Sequence, residues 1–110
     1  MVHLFIVKKN NKIIRFYGKG HANFAKKGHD IVCAAISALT QHTVFGIVNY
    51  LKIDAEVHIK DGFLDLNLDK TNITERQREK ADILLETLVL TLKNIETEYS
   101  KNFKLFEEEA

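Results

Sequence analysis

The chain of 110 residues contains one cysteine, Cys33, close behind two histidines and an aspartate. The run reads Gly20-His21-Ala22-Asn23-Phe24-Ala25-Lys26-Lys27-Gly28-His29-Asp30-Ile31-Val32-Cys33. Asp30 is a good helix N-cap, and a helix that starts after it places Cys33 at its third position. Backbone N–H groups in a first helical turn lack intrahelical partners and form the positive end of the helix dipole. Such surroundings favour a thiolate over a thiol. With an imidazole in reach, these are the parts of a cysteine nucleophile and its base.

Each of these residues also has a plainer reading. A lone cysteine can be a small core residue. A buried thiol is expected in mid-helix, however, where Ala34, Ala35 and Ala38 read as the close-packed face. His21 falls at the end of a strand, where a sheet can hold a catalytic group rigidly. His29, beside the cap, is the competing base. Asp30 serves as the helix cap and could also orient the base. His42 lies on the far side of the same helix, His58 on a polar strand face and His3 at the far end of the first strand; all three read as structural or solvated. A zinc site from His21, His29, Asp30 and Cys33 would lack the paired cysteines and tight spacing of such sites. Neither a metal nor a cofactor is expected.

Two hairpins and two helices must position these groups. Val2–Lys8 reads as an internal strand, because both of its alternating sets are largely apolar. Asn10-Asn11 signals a turn. Lys12–Tyr17 follows, with Ile14 and Phe16 on one face and Ile13, Arg15 and Tyr17 on the other. Gly18, Gly20 and Gly28 bracket a loop, Lys19 to His29, expected to bind an extended peptide and close over it. The first helix runs from Asp30 to about Leu51. Ala55–Lys60 and Phe63–Leu68 alternate about Asp61-Gly62 as a second hairpin; Ala55, Val57, Ile59, Leu64, Leu66 and Leu68 are read as inward. Thr74 with Gln77 forms a capping box that opens a long helix to about Tyr99. Its apolar stripe (Ala81, Ile83, Leu84, Leu85, Leu88, Val89, Leu90, Leu92, Ile95) is too wide for one contact. It should cover the sheet and also meet another helix or a second subunit. Phe103–Glu107 suggests a terminal strand, and Glu107-Glu108-Glu109 a solvated tail. The fold class is therefore α+β: a two-layer sandwich, mostly antiparallel, with two helices on one face in the order β-β-α-β-β-α(-β).

Bulk composition narrows the function. Residues 1–110 suit a single domain, and 45% apolar residues suffice for a core. Sixteen basic against fifteen acidic residues give no general polyanion signal, and no aromatic strand motif or phosphate loop suggests nucleic acid. Ile31–Leu51 has no Asp, Glu, Lys or Arg and is long enough to span a bilayer. Ser37, Thr40, Gln41, His42, Thr43 and Asn49 interrupt it, so a helix buried on most sides is preferred to a membrane span. One cysteine cannot form an internal disulfide, and the N-terminus lacks a signal-peptide pattern. The expected location is cytoplasmic.

Gly20-His21-Ala22, the spacing to Gly28, and Asp30-Ile31-Val32-Cys33-Ala34-Ala35 with Ser37-Ala38-Leu39 closely resemble the ribosomal-processing cysteine protease family, Prp. The likeness extends over the whole chain, including Lys80-Ala81-Asp82-Ile83-Leu84-Leu85. It implies a cytoplasmic homodimer that removes the N-terminal extension of large-subunit ribosomal protein twenty-seven. It further implies His21 as base, Cys33 as nucleophile and Asp30 as a contributor. The competing class is a non-catalytic ribosome-associated binding or assembly module in which Cys33 is merely packed.

Overall fold

The structure is a computed structural model that describes residues 1–19, 31–60 and 63–110. Strands β1 (Val2–Lys9) and β2 (Lys12–Lys19) form the first hairpin. Its turn residues Asn10 and Asn11 both have positive φ, 51° and 65°, a conformation asparagine tolerates and tight hairpins require. Strands β3 (Glu56–Lys60) and β4 (Phe63–Asn67) form an antiparallel pair, and β5 (Phe103–Glu109) ends the chain's regular structure. The sheet order is β3-β4-β2-β1-β5, with every neighbour antiparallel except β5, which runs parallel to β1. Helix α1 (Ile31–Phe45) continues through a π-helical turn, Gly46–Tyr50, and α2 spans Glu75–Glu98. This is the expected α+β sandwich, with β1 internal as its two apolar faces required.

Both helices lie on one face. Val2, Leu4, Ile6, Phe16 and Leu66 of the sheet share a core with Val32, Ile36 and Ile47 of the first helical segment. Ala81, Leu85, Leu88 and Leu92 of α2 complete it. The buried threonines of α1 are satisfied within the helix: Thr40 Oγ1 donates to the Ile36 carbonyl at 2.8 Å and Thr43 Oγ1 to that of Leu39 at 2.9 Å. The helices approach closely at Gly46, where an added Cβ would meet Leu84 Cδ1 at 2.9 Å. The capping box forms as read: Gln77 N–H donates to Thr74 Oγ1 and Thr74 N–H to Gln77 Oε1, each at 3.1 Å.

Five expectations need correction. The β1–β2 register shifts beside Val7/Lys8, so Ile13 joins Phe16 in the core and Ile14 is only half-buried; a bulge breaks strict alternation. Ile59 is 56% exposed because β3 is an edge strand. Ala34, Ala35 and Ala38 are exposed and do not form a close-packed face. The segment Ile31–Tyr50 remains long and apolar enough to cross a membrane by length and composition, yet only 33% of its most apolar stretch is buried; it is half-covered, not enclosed. Finally, Glu107, Glu108 and Glu109 are strand residues in register with Ile6, Val7 and Lys8. Lys8 and Lys93 flank Glu107 at 3.9 and 3.5 Å, which offsets the charge of an acidic edge strand.

Among the described residues the sheet's other face carries no helix and is organised by its own side chains. Phe5 stacks on Tyr17 at 4.8 Å between centroids and on Phe106 at 4.9 Å, with interplanar angles of 11° and 14°. Those distances equal the spacing of neighbouring strands, so rings in register on β2, β1 and β5 stand upright and stack. His3 meets Phe106 edge-on, and Arg15 lies over Tyr17 at 4.6 Å.

Candidate active site

Cys33 lies in α1, which is described from Ile31 onward; the expected Asp30 cap, from which its helical position is counted, lies outside the described residues. It is half-buried and packs against the core. Val32, Ile36, Thr40 and Val44 mark the buried side of α1. At 100° per residue Cys33 lies within roughly 50° of the centre of that stripe. The thiol therefore sits on the shoulder of the helix facing the sheet, partly open to solvent.

His21, His29, Asp30 and the loop from Gly20 onward lie outside the described residues, as does the Asp61-Gly62 turn. On either side the described chain holds Lys19 in β2 and Ile31 in α1. Lys19 ends β2 in register with His3 on β1 and Phe63 on β4, so the chain leaves from the middle of the sheet. The described chain resumes at Ile31, two residues before Cys33. The three other histidines are elsewhere: His42 in the last turn of α1, His58 beside Glu56 at 3.4 Å on exposed β3, and His3 on the helix-free face. Among the described residues no group of three or more His, Cys, Asp or Glu side chains could hold a metal.

A polar cluster that periodicity did not reveal occupies the helix-free face. Arg15 donates to both oxygens of Asp65, Nε at 2.9 Å and Nη2 at 2.7 Å. Tyr17 Oη donates to Glu108 Oε1 at 2.6 Å. The Asp65 hydrogen bond holds the Arg15 guanidinium above its ordinary value, against a smaller opposing effect of burial and with lesser help from the Asp65 charge. The Glu108 hydrogen bond raises Tyr17, aided by burial and by the carboxylate charge. Val2, Leu4 and Ile6 alternate with His3 and Phe5 along β1, so this cluster is on the opposite side of the sheet from α1 and its thiol.

Comparison with known proteins decides the class of chemistry. The family described as cysteine protease Prp matches residues 1–104. The chain belongs to the Prp family of cysteine proteases. Its relatives include the ribosomal processing cysteine protease Prp of Bacillus subtilis strain 168, 32% identical over 114 aligned positions and 96% of each chain. The protein of the same name from Staphylococcus aureus is 30% identical over 101 positions, covering 90% of this chain and 91% of its own. Two crystal structures of Staphylococcus aureus Prp share the fold. One, holding a covalently linked product peptide, superimposes with a TM-score of 0.83 at 26% identity, over 98% of this chain and 100% of its own. The other holds a substrate peptide, with a TM-score of 0.81 at 25% identity over the same shares. A Streptococcus mutans protein at 22% identity gives a TM-score of 0.85 over 100% of this chain and 96% of its own, a likeness of fold. Membership of this family makes the chain a cysteine protease and sets aside the non-catalytic module.

Proposed function

We propose that this Prp-family chain is the endopeptidase that removes the N-terminal extension of large-subunit ribosomal protein twenty-seven, with Cys33 as nucleophile and His21 as general base and acid. One observation carries the assignment of the nucleophile: a cysteine protease needs a thiolate, and Cys33 is the only cysteine in the chain. Its place in α1, half-buried and partly open to solvent, supports the same reading.

In the proposed mechanism His21 takes the Cys33 proton and the sulfur attacks the scissile carbonyl carbon, forming a C–S bond. N–H groups at the start of α1 hold the oxyanion, each such donor worth about 3–4 kcal/mol of barrier. The C–N bond then breaks and His21 returns its proton to the leaving amine. Water attacks the thioester, His21 accepts its proton, and the carboxylate product leaves with the sulfur restored. Asp30 caps the helix and orients the base. The loop Lys19 to His29 contributes the peptide-binding surface. The substrate comes from the resemblance and from the names of the relatives, which describe ribosomal processing.

The working form is a cytoplasmic homodimer. The outer face of α1 carries no Asp, Glu, Lys or Arg, and exposes Ile31 (67%) and Phe45 (61%) with Ala34, Ala35 and Ala38 between them. On α2, Ile83 and Leu90 are equally bare at 67% and 69%. Small residues flanked by large apolar ones on a helix face suit close approach of a second helix pair.

Mass spectrometry of an extended ribosomal-protein peptide tests the reading. Wild-type protein yields two fragments and Cys33→Ala none, with the circular dichroism of the variant unchanged. His21→Ala loses far more turnover than His29→Ala; the reverse transfers the role of base to His29. Cleavage undiminished in Cys33→Ala refutes the mechanism.

A further inference from the structure

We propose that the cleft between the end of the first helix and the opening turns of α2 binds single-stranded polynucleotide, with Arg76 and Lys80 gripping phosphate and Tyr50 stacking on a base. The cleft has a volume of about 390 Å³ and is lined by Tyr50, Leu51, Thr74, Arg76, Gln77 and Lys80. That is within the size range of small-ligand sites. Along a helix rising 1.5 Å per residue it lies roughly 25 Å from Cys33, and is thus separate from the proteolytic site.

Several independent features converge there. Tyr50 is 83% exposed, and its ring stacks on nothing among the described residues. Arg76 and Lys80 are like charges at i,i+4, an arrangement that costs a helix stability. Neither is ion-paired among the described residues, although Arg78 on the same helix pairs with Asp82. Neutralisation is thus used elsewhere on α2 and omitted at the cleft. Lys52, next to the lining residue Leu51, has φ 57°, a conformation that favours glycine.

The walls are fixed. Leu51 N–H closes the π-helical turn onto the Gly46 carbonyl at 2.9 Å, and such turns are frequent at functional sites. Gln77 Nε2 donates to the Leu51 carbonyl at 3.3 Å, tying the two helical segments together. The helix end itself is not the binding group, since Thr74 Oγ1 already accepts Gln77 N–H. Glu75 and Glu79 lie about 60–100° round the helix from Arg76, which confines a polyanion to the Arg76–Lys80 side.

Paired cations beside an open aromatic ring form a phosphate grip with a stacking platform. An acidic peptide would use the cations and leave the ring without a partner. The near-neutral total charge sums over the whole surface and is compatible with one side of α2 carrying the two cations Arg76 and Lys80.

The test is fluorescence anisotropy with a labelled uridine dodecamer, over a salt series from about 50 mM. Tyr50→Ala and the double variant Arg76→Gln/Lys80→Gln are each expected to bind about tenfold or more weakly, while Tyr50→Phe binds as wild type. Losing two phosphate contacts should flatten the slope of log K against log salt by about 1.4. Lys101→Gln/Lys104→Gln, which removes as much charge elsewhere, is expected to change little. Cleavage of the extended peptide, measured in parallel as a folding control, stays within twofold of wild type in all variants. The proposal is overturned by no binding at low salt, by equal loss in the Lys101/Lys104 control, by Tyr50→Ala binding like wild type, or by AMP or inorganic phosphate competing as strongly as the oligomer. None of these outcomes depends on the identity of the protease substrate.

Discussion

Phe5→Leu isolates the aromatic ladder on the helix-free face. Leucine keeps most of the apolar bulk and the strand position but removes both stacked contacts, at 4.8 and 4.9 Å. Each aromatic pair contributes about 0.5–1.5 kcal/mol beyond its buried area, so the loss should be about 1–3 kcal/mol. At about 4 °C per kcal/mol for a domain near this size, the midpoint of thermal unfolding should fall by roughly 4–12 °C. Phe106→Leu removes one stack and the edge contact with His3, and should cost about half as much. Differential scanning calorimetry of the two single variants and the double variant gives a coupling energy, expected at about 0.5–1.5 kcal/mol for residues in direct contact. A coupling below about 0.3 kcal/mol, the scatter seen for independent sites, would mean that the rings are merely adjacent. In that case β5 would be held by backbone pairing, by its core residue Phe103 and by the contacts of Glu107 and Glu108 with Lys8, Lys93 and Tyr17.

The same face gives two further tests. Asp65→Asn breaks the bidentate pair with Arg15, whose side chain is partly exposed; allowing for solvent screening, urea unfolding should show a loss of about 1–2 kcal/mol. Tyr17 is raised in the folded state by its bond to Glu108, so its contribution is complete below its ordinary value near 10 and is lost as pH rises through the folded value. Wild type should therefore lose stability on the alkaline side, and the gap to Tyr17→Phe, followed by thermal melts from pH 8 to 12, should shrink there; a constant gap contradicts the assignment. On the opposite layer, Ala38→Glu puts a charge into the uncharged outer face of α1 and should convert a dimer to monomer in analytical ultracentrifugation, without loss of helix content. An unchanged sedimentation coefficient argues against association through that face.

Much of this architecture was legible in local signals. Asn10-Asn11 encodes its own positive φ, and Thr74 with Gln77 encodes its capping box, because both depend on residues a few positions apart. What escaped depends on tertiary neighbours. The bulge that brings Ile13 inward is fixed by pairing with β1, not by alternation within β2. The acidic end reads as a tail until β1 offers a parallel edge and Lys8 and Lys93 offer charge. Tyr17 and Glu108 are separated by 91 positions, and only the strand order β2-β1-β5 brings them together. The alanines of α1 have the composition of a buried face yet are exposed, because small size alone does not show which side of a helix the sheet covers. At the site, residue type and spacing single out Cys33, and the structure places it in α1. Its half-burial follows from α1 packing through Val32 and Ile36.

That packing ties the fold to the chemistry. A helix laid on a sheet can roll, and rotation of α1 by a single residue's worth, 100°, would carry the sulfur either under the helix or out onto the alanine face. Val32 and Ile36, at 5% and 4% exposure, bracket Cys33 on the buried side and fix that angle. Thr40, one turn beyond Ile36, keeps its hydroxyl on the helix's own carbonyls and makes no demand on the sheet. The bare alanine face opposite is then a consequence of the same orientation: with the thiol held at the shoulder, the remaining apolar surface of α1 must face outward. A second subunit covering it would lock the roll of the helix, so the proposed association and the aim of the proposed nucleophile would share one degree of freedom.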